Sequence, residues 1–174
     1  MHTEATDHPK LLVSACLLGQ PVRYDGKSKS IANSVLEQLS NRNLIVAFCP
    51  EVAGGLPTPR PAAEITFGDG FSVLDGHSKV ETQQGEAFTE QFLKGAKLAL
   101  DLCLEHCINV AILTELSPSC GSQEIYDGSF NRMKQTGVGV TTALLYRHGI
   151  KVFNQYQIAD AIQYANEYRN QGDH

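Results

Sequence analysis

Three short stretches of the chain are apolar almost throughout: LLVSA at 11–15, LIVAF at 44–48 and VAILT at 110–114. A strand with one wet face would alternate, so these unbroken runs predict strands covered on both sides, as in a parallel sheet. KVF at 151–153, after the turn HGI, predicts a fourth. Between the runs the apolar spacing lengthens to three and four residues, which predicts helices. A short one covers 31–41 and the longest 86–107. A third starts after GVG at 137–139 and runs to about Tyr146, and a last covers roughly 157–169. Strand and helix in alternation predict an α/β domain, a three-layer Rossmann-like fold with a mainly parallel sheet.

Two stretches break this rhythm. FSVLDGHSKVET (71–82) alternates around Asp75-Gly76 and predicts a small β-hairpin inserted before the longest helix. CPEVAGGLPTPRPAAEI (49–65) carries four prolines and two glycines and predicts a stiff, irregular loop. Ordered loops of this length often carry function. No repeat, low-complexity tract or linker divides the chain. The expectation is a loose polar tail over 1–9 and a single domain over 10–170.

Composition narrows the class of partner. At 174 residues, 42% of them hydrophobic, the chain can bury a sizeable core. Its net charge of −5 lacks the basic field that drives non-specific nucleic-acid binding, so small molecules are the expected partners. No apolar run is long enough for a membrane span, and MHTEATDHPK has no signal-peptide core. The expected location is the cytoplasm, where thiols stay reduced. The five cysteines are then candidates for core, metal or catalytic roles rather than disulfides. Oligomeric state is not readable.

Three cysteines stand out by position. Cys16 directly follows LLVSA, Cys49 directly follows LIVAF, and Cys120 lies a few residues beyond VAILT in the stiff turn SPSCGS, which reads as exposed. The carboxyl ends of parallel strands share one edge, where open α/β folds bind ligands. The three thiols are therefore expected to converge. Three thiolates without a fourth Cys or His leave one coordination position open. Zinc and an iron–sulfur cluster both suit such ligands, and spacing does not choose between them. Cys103 and Cys107 have the helical spacing of half a metal site. They also continue a stripe of Phe88, Phe92, Ala96 and Ala99, which predicts the core-facing side of the long helix.

The segments VSACLLGQPVRYDG (13–26), CPEVAGGLPTPRPAAEI (49–65), LTELSPSCGSQEIYDGSF (113–130) and TGVGVTTALLYRHGIKVF (136–153) together resemble the bacterial thiouracil desulfidase family, long catalogued only as a domain of unknown function. The resemblance runs from about residue 10 to 160 and matches a short, single-domain form, without the further C-terminal domain of longer relatives. It implies a 4Fe-4S cluster held by Cys16, Cys49 and Cys120, with the fourth iron free to bind the sulfur of a thiouracil or a related thionucleobase or thionucleoside. The implied reaction exchanges that sulfur for oxygen from water without net redox. The products are a uracil and hydrogen sulfide. Glu51 matches an acidic residue assigned to acid–base chemistry, and Ser117 a serine assigned to the active site.

Weaker candidates surround these. Arg23 and Tyr24, in RYDG, and Arg60, fixed between two prolines, are candidate substrate contacts, as is Ser119, whose other reading is turn formation around Pro118. The glycine turn TGVGVTTA (136–143) can present amides to an anion or an oxygen, but lacks a full dinucleotide fingerprint. The six scattered histidines carry no assigned role. Three rival readings stay open: a non-catalytic iron–sulfur or zinc protein such as a sensor, a zinc hydrolase using the same thiolates, and a thiol-redox enzyme using Cys103 and Cys107.

Overall fold

A computed structural model describes residues 9–171, so residues 1–8, nearly all of the expected tail, lie outside the described residues. Four parallel strands form the central sheet: β1 (Leu11–Ser14), β2 (Ile45–Phe48), β5 (Val110–Ile112) and β8 (Lys151–Phe153), in the spatial order β2-β1-β5-β8. These are the four apolar runs. Their alternate residues enter two different cores. Leu11, Val13, Val110 and Ile112 pack on one face with Leu36, Ile158, Ala161 and Ala165 from helices α1 (Ser34–Asn41) and α6 (Ile158–Gln171). Leu12, Ala111 and Val152 pack on the other with Ala99, Cys103 and Leu145 from helices α4 (Thr89–Glu105) and α5 (Val140–Arg147). Two covered faces make the three layers. β2 sits at the sheet edge, and its residues are only half-buried or exposed, so LIVAF is less enclosed than its composition predicts.

Between β2 and α4 the chain forms a short helix α2 (Pro50–Ala53), strand β3 (Ala63–Thr66), helix α3 (Gly70–Leu74) and strand β4 (Lys79–Thr82). The inserted antiparallel pair is present, but β4 pairs with β3 rather than with residues 71–74. The Asp69 carboxylate caps α3, accepting the N–H groups of Phe71 at 3.0 Å and Ser72 at 3.4 Å, and this local capping turns the segment helical. A second pair, β6 (Glu124–Tyr126) and β7 (Lys134–Thr136), follows the Cys120 loop.

The stripe of α4 is buried at Phe88, Phe92, Ala96, Ala99 and Cys103, but Cys107 is exposed, against expectation. The helix stops first. Cys107 takes a left-handed φ of 53°, and the N–H of Ile108 bonds the Cys103 carbonyl at 2.8 Å. That is a Schellman ending with buried Ile108 as its apolar contact, and it turns Cys107 outward. The two cysteines are not a paired site.

Candidate active site

Sheet order places β1 beside strands that leave in opposite directions, the position at which open α/β sheets form a crevice beyond their carboxyl ends. Cys16 lies in a 3₁₀ turn (Ala15–Leu18) that continues β1, closed by Gly19 at a φ of 94°. Its Sγ sits 3.0 Å from the Thr114 hydroxyl, at the end of β5. Cys49 is the residue preceding α2, with Pro50 preset for the first helical position. Gly95 of α4 makes this placement possible, because a Cβ there would meet the Pro50 carbonyl oxygen at 1.9 Å. Cys16, Cys49 and Cys120 all line one cavity of about 360 Å³, together with Glu51, Ser117, Arg23, Tyr24 and Arg60.

The SPSCGS loop is held from three sides. The Ser117 Oγ accepts the N–H groups of Ser119 and Cys120, both at 3.1 Å. The start of α5 covers the loop's outer carbonyls: Val140 N–H bonds Pro118 O and Thr141 N–H bonds Ser119 O, both at 2.9 Å, and the Thr142 hydroxyl bonds Cys120 O at 2.9 Å. A Cβ on Gly139 would lie 2.3 Å from the Ser119 carbonyl carbon, so only glycine permits this approach. The glycine turn therefore spends its amides on the cysteine loop, not on a ligand. On the third side the Glu115 carboxylate gathers the amides of Ser122, Gln123 and Glu124. So enclosed, Cys120 is 5% exposed rather than in an open turn. Ser119 is fully buried behind the cavity lining, with its hydroxyl 2.9 Å from that of Thr141 and within hydrogen-bond reach of the Cys120 thiol.

Charge in the cavity is arranged tightly. Arg60 is buried, its Nε 3.3 Å from Glu51 Oε1, while its other nitrogens donate to the carbonyls of Pro57 and Val22 and to the Thr58 hydroxyl at 3.0–3.2 Å. It braces Glu51 and the surrounding loops while also lining the cavity. Burial pushes the Glu51 carboxyl up, against the pull of Arg60. Burial also pushes the Cys120 thiol up strongly, helped by the nearby Cys49, Glu51 and Cys16. The Cys49 thiol is raised first by burial and further by Glu51, while its hydrogen bond to the Val52 backbone and the charge of Arg60 oppose the shift. Arg23 lies 3.9 Å from Asp25 and 5.9 Å from the Tyr24 ring, and Tyr24 is 43% exposed at the mouth.

Other lining residues are not among the candidates singled out from the sequence: Thr114, Glu115, Lys29, Glu64, Phe130 and Arg132. Glu64 accepts the N–H groups of Gly128 and Phe130 at 3.0 and 3.2 Å, holding the β6–β7 loop beside the cavity. Phe130 and Arg132 reach the site through left-handed backbone, φ 58° and 59°, which no pattern announces. Among the described residues no histidine lines the cavity.

This donor set can be tested against the cofactor it suggests. Thiolates brought together in a buried space need positive charge between them, and Arg60 is already engaged with Glu51. Among the described residues no three His, Cys, Asp or Glu gather on one ion-sized point. Cys16, Cys49 and Cys120 line a cavity of about 360 Å³, and thiolates are the ligands of iron–sulfur groups.

Fold and site together define a class: an open α/β domain with a cysteine-lined cavity at the carboxyl edge of its sheet. The family model of 2-thiouracil desulfurase matches residues 11–157, and the chain belongs to that family. It is 41% identical over 152 residues to the uncharacterized protein YbbK of Bacillus subtilis (strain 168), covering 87% of this chain and 99% of that protein. It is also similar to the solved structure of the [4Fe-4S]-dependent thiouracil desulfidase TudS, with 50% identity and a TM-score of 0.83, covering 91% of this chain and 98% of that one.

Proposed function

We propose that the protein is an iron–sulfur-dependent thiouracil desulfidase, converting the thiocarbonyl of a thionucleobase or thionucleoside to a carbonyl with release of hydrogen sulfide. The convergence of Cys16, Cys49 and Cys120 on one cavity with Glu51 and Ser117 carries this reading. The three thiols would hold a 4Fe-4S cluster and leave one iron without a protein ligand. When bound, the cluster supplies a thiophilic Lewis acid toward the substrate sulfur.

The chain's own residues supply the rest. Water adds to the thiocarbonyl carbon and both its protons leave with sulfur as hydrogen sulfide, so no electrons are exchanged. Glu51 is the base that receives the first proton, held in position by Arg60. Ser117 accepts two backbone N–H groups, which leaves its own O–H to donate to a pyrimidine oxygen or nitrogen. Tyr24 and Arg23 at the mouth suit the face and polar edge of a pyrimidine. All five cysteines are free, which fits a reducing cytoplasm. No helix among the described residues is long and apolar enough to cross a membrane.

The test is anaerobic cluster reconstitution followed by sulfide release across a panel of thiobases and thionucleosides. A brown, active protein whose activity is lost in Glu51→Ala with its iron retained is the expected result. Undiminished sulfide release by E51A would favour a non-catalytic role for the carboxylate. A reconstituted protein that is colourless and inactive would overturn the reading.

A further inference from the structure

The six hydrogen bonds accepted by Glu115 have no counterpart elsewhere among the described side chains. Its Oε1 accepts the N–H groups of Leu116 at 3.4 Å, Ser122 at 3.0 Å, Gln123 at 3.1 Å and Glu124 at 3.1 Å. Its Oε2 accepts the Ser122 hydroxyl at 3.2 Å and the Asn154 amide at 2.6 Å. Glu115 itself is anchored: its N–H donates to the Gln155 side chain at 3.0 Å, and it is 8% exposed. Asn154 directly follows β8 and is buried, with its Oδ1 accepting the Tyr156 N–H at 3.0 Å. One carboxylate thus ties both ends of the 116–124 loop to the ends of β5 and β8.

We infer that Glu115 is a positioning residue for the active site: it fixes the Cys120 thiol and the Ser117 hydroxyl by closing the loop that carries both. The inference rests on the function proposed above only for its consequence, cluster binding. The loop otherwise has Ser117's own turn and the α5 contacts, which hold its middle and its outer carbonyls. Neither reaches the amides of Ser122, Gln123 and Glu124. Without the carboxylate these amides would have no acceptor within the protein where the loop rejoins β6, and the loop would lose its tie to β5. A carboxylate with every accepting direction occupied is also poorly placed to take a proton from water. Glu115 lines the cavity as a support and leaves the base role to Glu51.

The geometry gives a test that distinguishes positioning from bulk. In Glu115→Gln the amide oxygen faces the backbone donors, and the new NH₂ then faces the Asn154 NH₂ across a 2.6 Å contact. Asn154 cannot invert without losing the Tyr156 bond. In Asn154→Asp, two carboxylates face each other. The double variant E115Q/N154D restores a donor opposite an acceptor and keeps the charge. Amide hydrogen exchange on the iron-free protein should show protection of Ser122, Gln123 and Glu124 falling roughly tenfold or more in each single variant. It should recover in the double variant, with β1 and β5 unchanged throughout. Iron bound per chain after anaerobic reconstitution should follow the same order.

E115Q with wild-type protection and wild-type iron would overturn the inference, as would a double variant no better than E115Q. Should E115Q fail to fold, recovery of folding and loop protection by the double variant supports the inference, and no recovery overturns it. The exchange measurement needs no cluster. A wild type that binds no iron would therefore sink the proposed function, while loop protection still decides the role of Glu115.

Discussion

Single residues in this site divide into those that face the cavity and those that hold them there. Ser119 is one of the latter, with its hydroxyl paired to Thr141 in the interior. Ser119→Ala should cost about 1 kcal/mol in denaturant unfolding and leave KM unchanged. A large rise in KM with unaltered stability would return Ser119 to the substrate. Glu115 gives a pH signature. Burial alone would raise its carboxyl, but the bonds from Gln123, Asn154, Glu124 and Ser122 outweigh burial and hold it below the ordinary 4.5. A folded value below the unfolded one means that its stabilisation is complete above 4.5 and is lost as pH falls through the folded value. Tyr146 is the titratable neighbour that senses this charge; its phenol is raised by burial and by Glu115, and it stays neutral across that range. The thermal midpoints of wild type and E115Q should therefore converge on acidification from about pH 7 to about pH 3. A gap independent of pH would contradict this.

Elements are set by close approaches that side-chain patterns do not reveal. Gly95 lies inside α4, where Ala would ordinarily favour the helix by about 1 kcal/mol. Here the added Cβ meets the Pro50 carbonyl. Gly95→Ala should instead destabilise by roughly 1–3 kcal/mol in chemical denaturation and reduce iron retention, because α2 carries Cys49 and Glu51. A stabilised G95A would show that the crossing of α2 and α4 is looser than described. The same contrast explains what could be read from the sequence. The four strands and four long helices were legible because burial on two faces or one writes a periodic pattern. The helical turn at 70–74 was not, because a single Asp69 cap outweighs four alternating residues. Cys107 left its stripe for a Schellman turn usually made by glycine. Cys120 read as exposed because its cover, α5, begins twenty residues later. The three thiols were found through strand ends. Glu115 was not, because its partners are mostly backbone amides, which every residue carries.

At the scale of the molecule, three apolar clusters support the cavity from beneath. Two lie on the faces of the central sheet, and the third joins β3, β4 and β6 to the first half of α4. None needs a metal to close. The iron-free chain should therefore show native far-UV circular dichroism and a cooperative melt, with the cluster adding stability only as a bound ligand does. An apo-protein without a thermal transition would contradict this, and would place the chain with small metal domains that fold on their ion.

The spread of the three thiols along the sequence has a consequence for order in time. A ribosome delivers Cys16 first, then Cys49, and Cys120 only after about two-thirds of the chain has emerged. β1 must wait as long for β5, its neighbour in the sheet. With these three thiols as the proposed ligands, a cluster can be seated only once the SPSCGS loop has emerged and α5, which covers it, has followed.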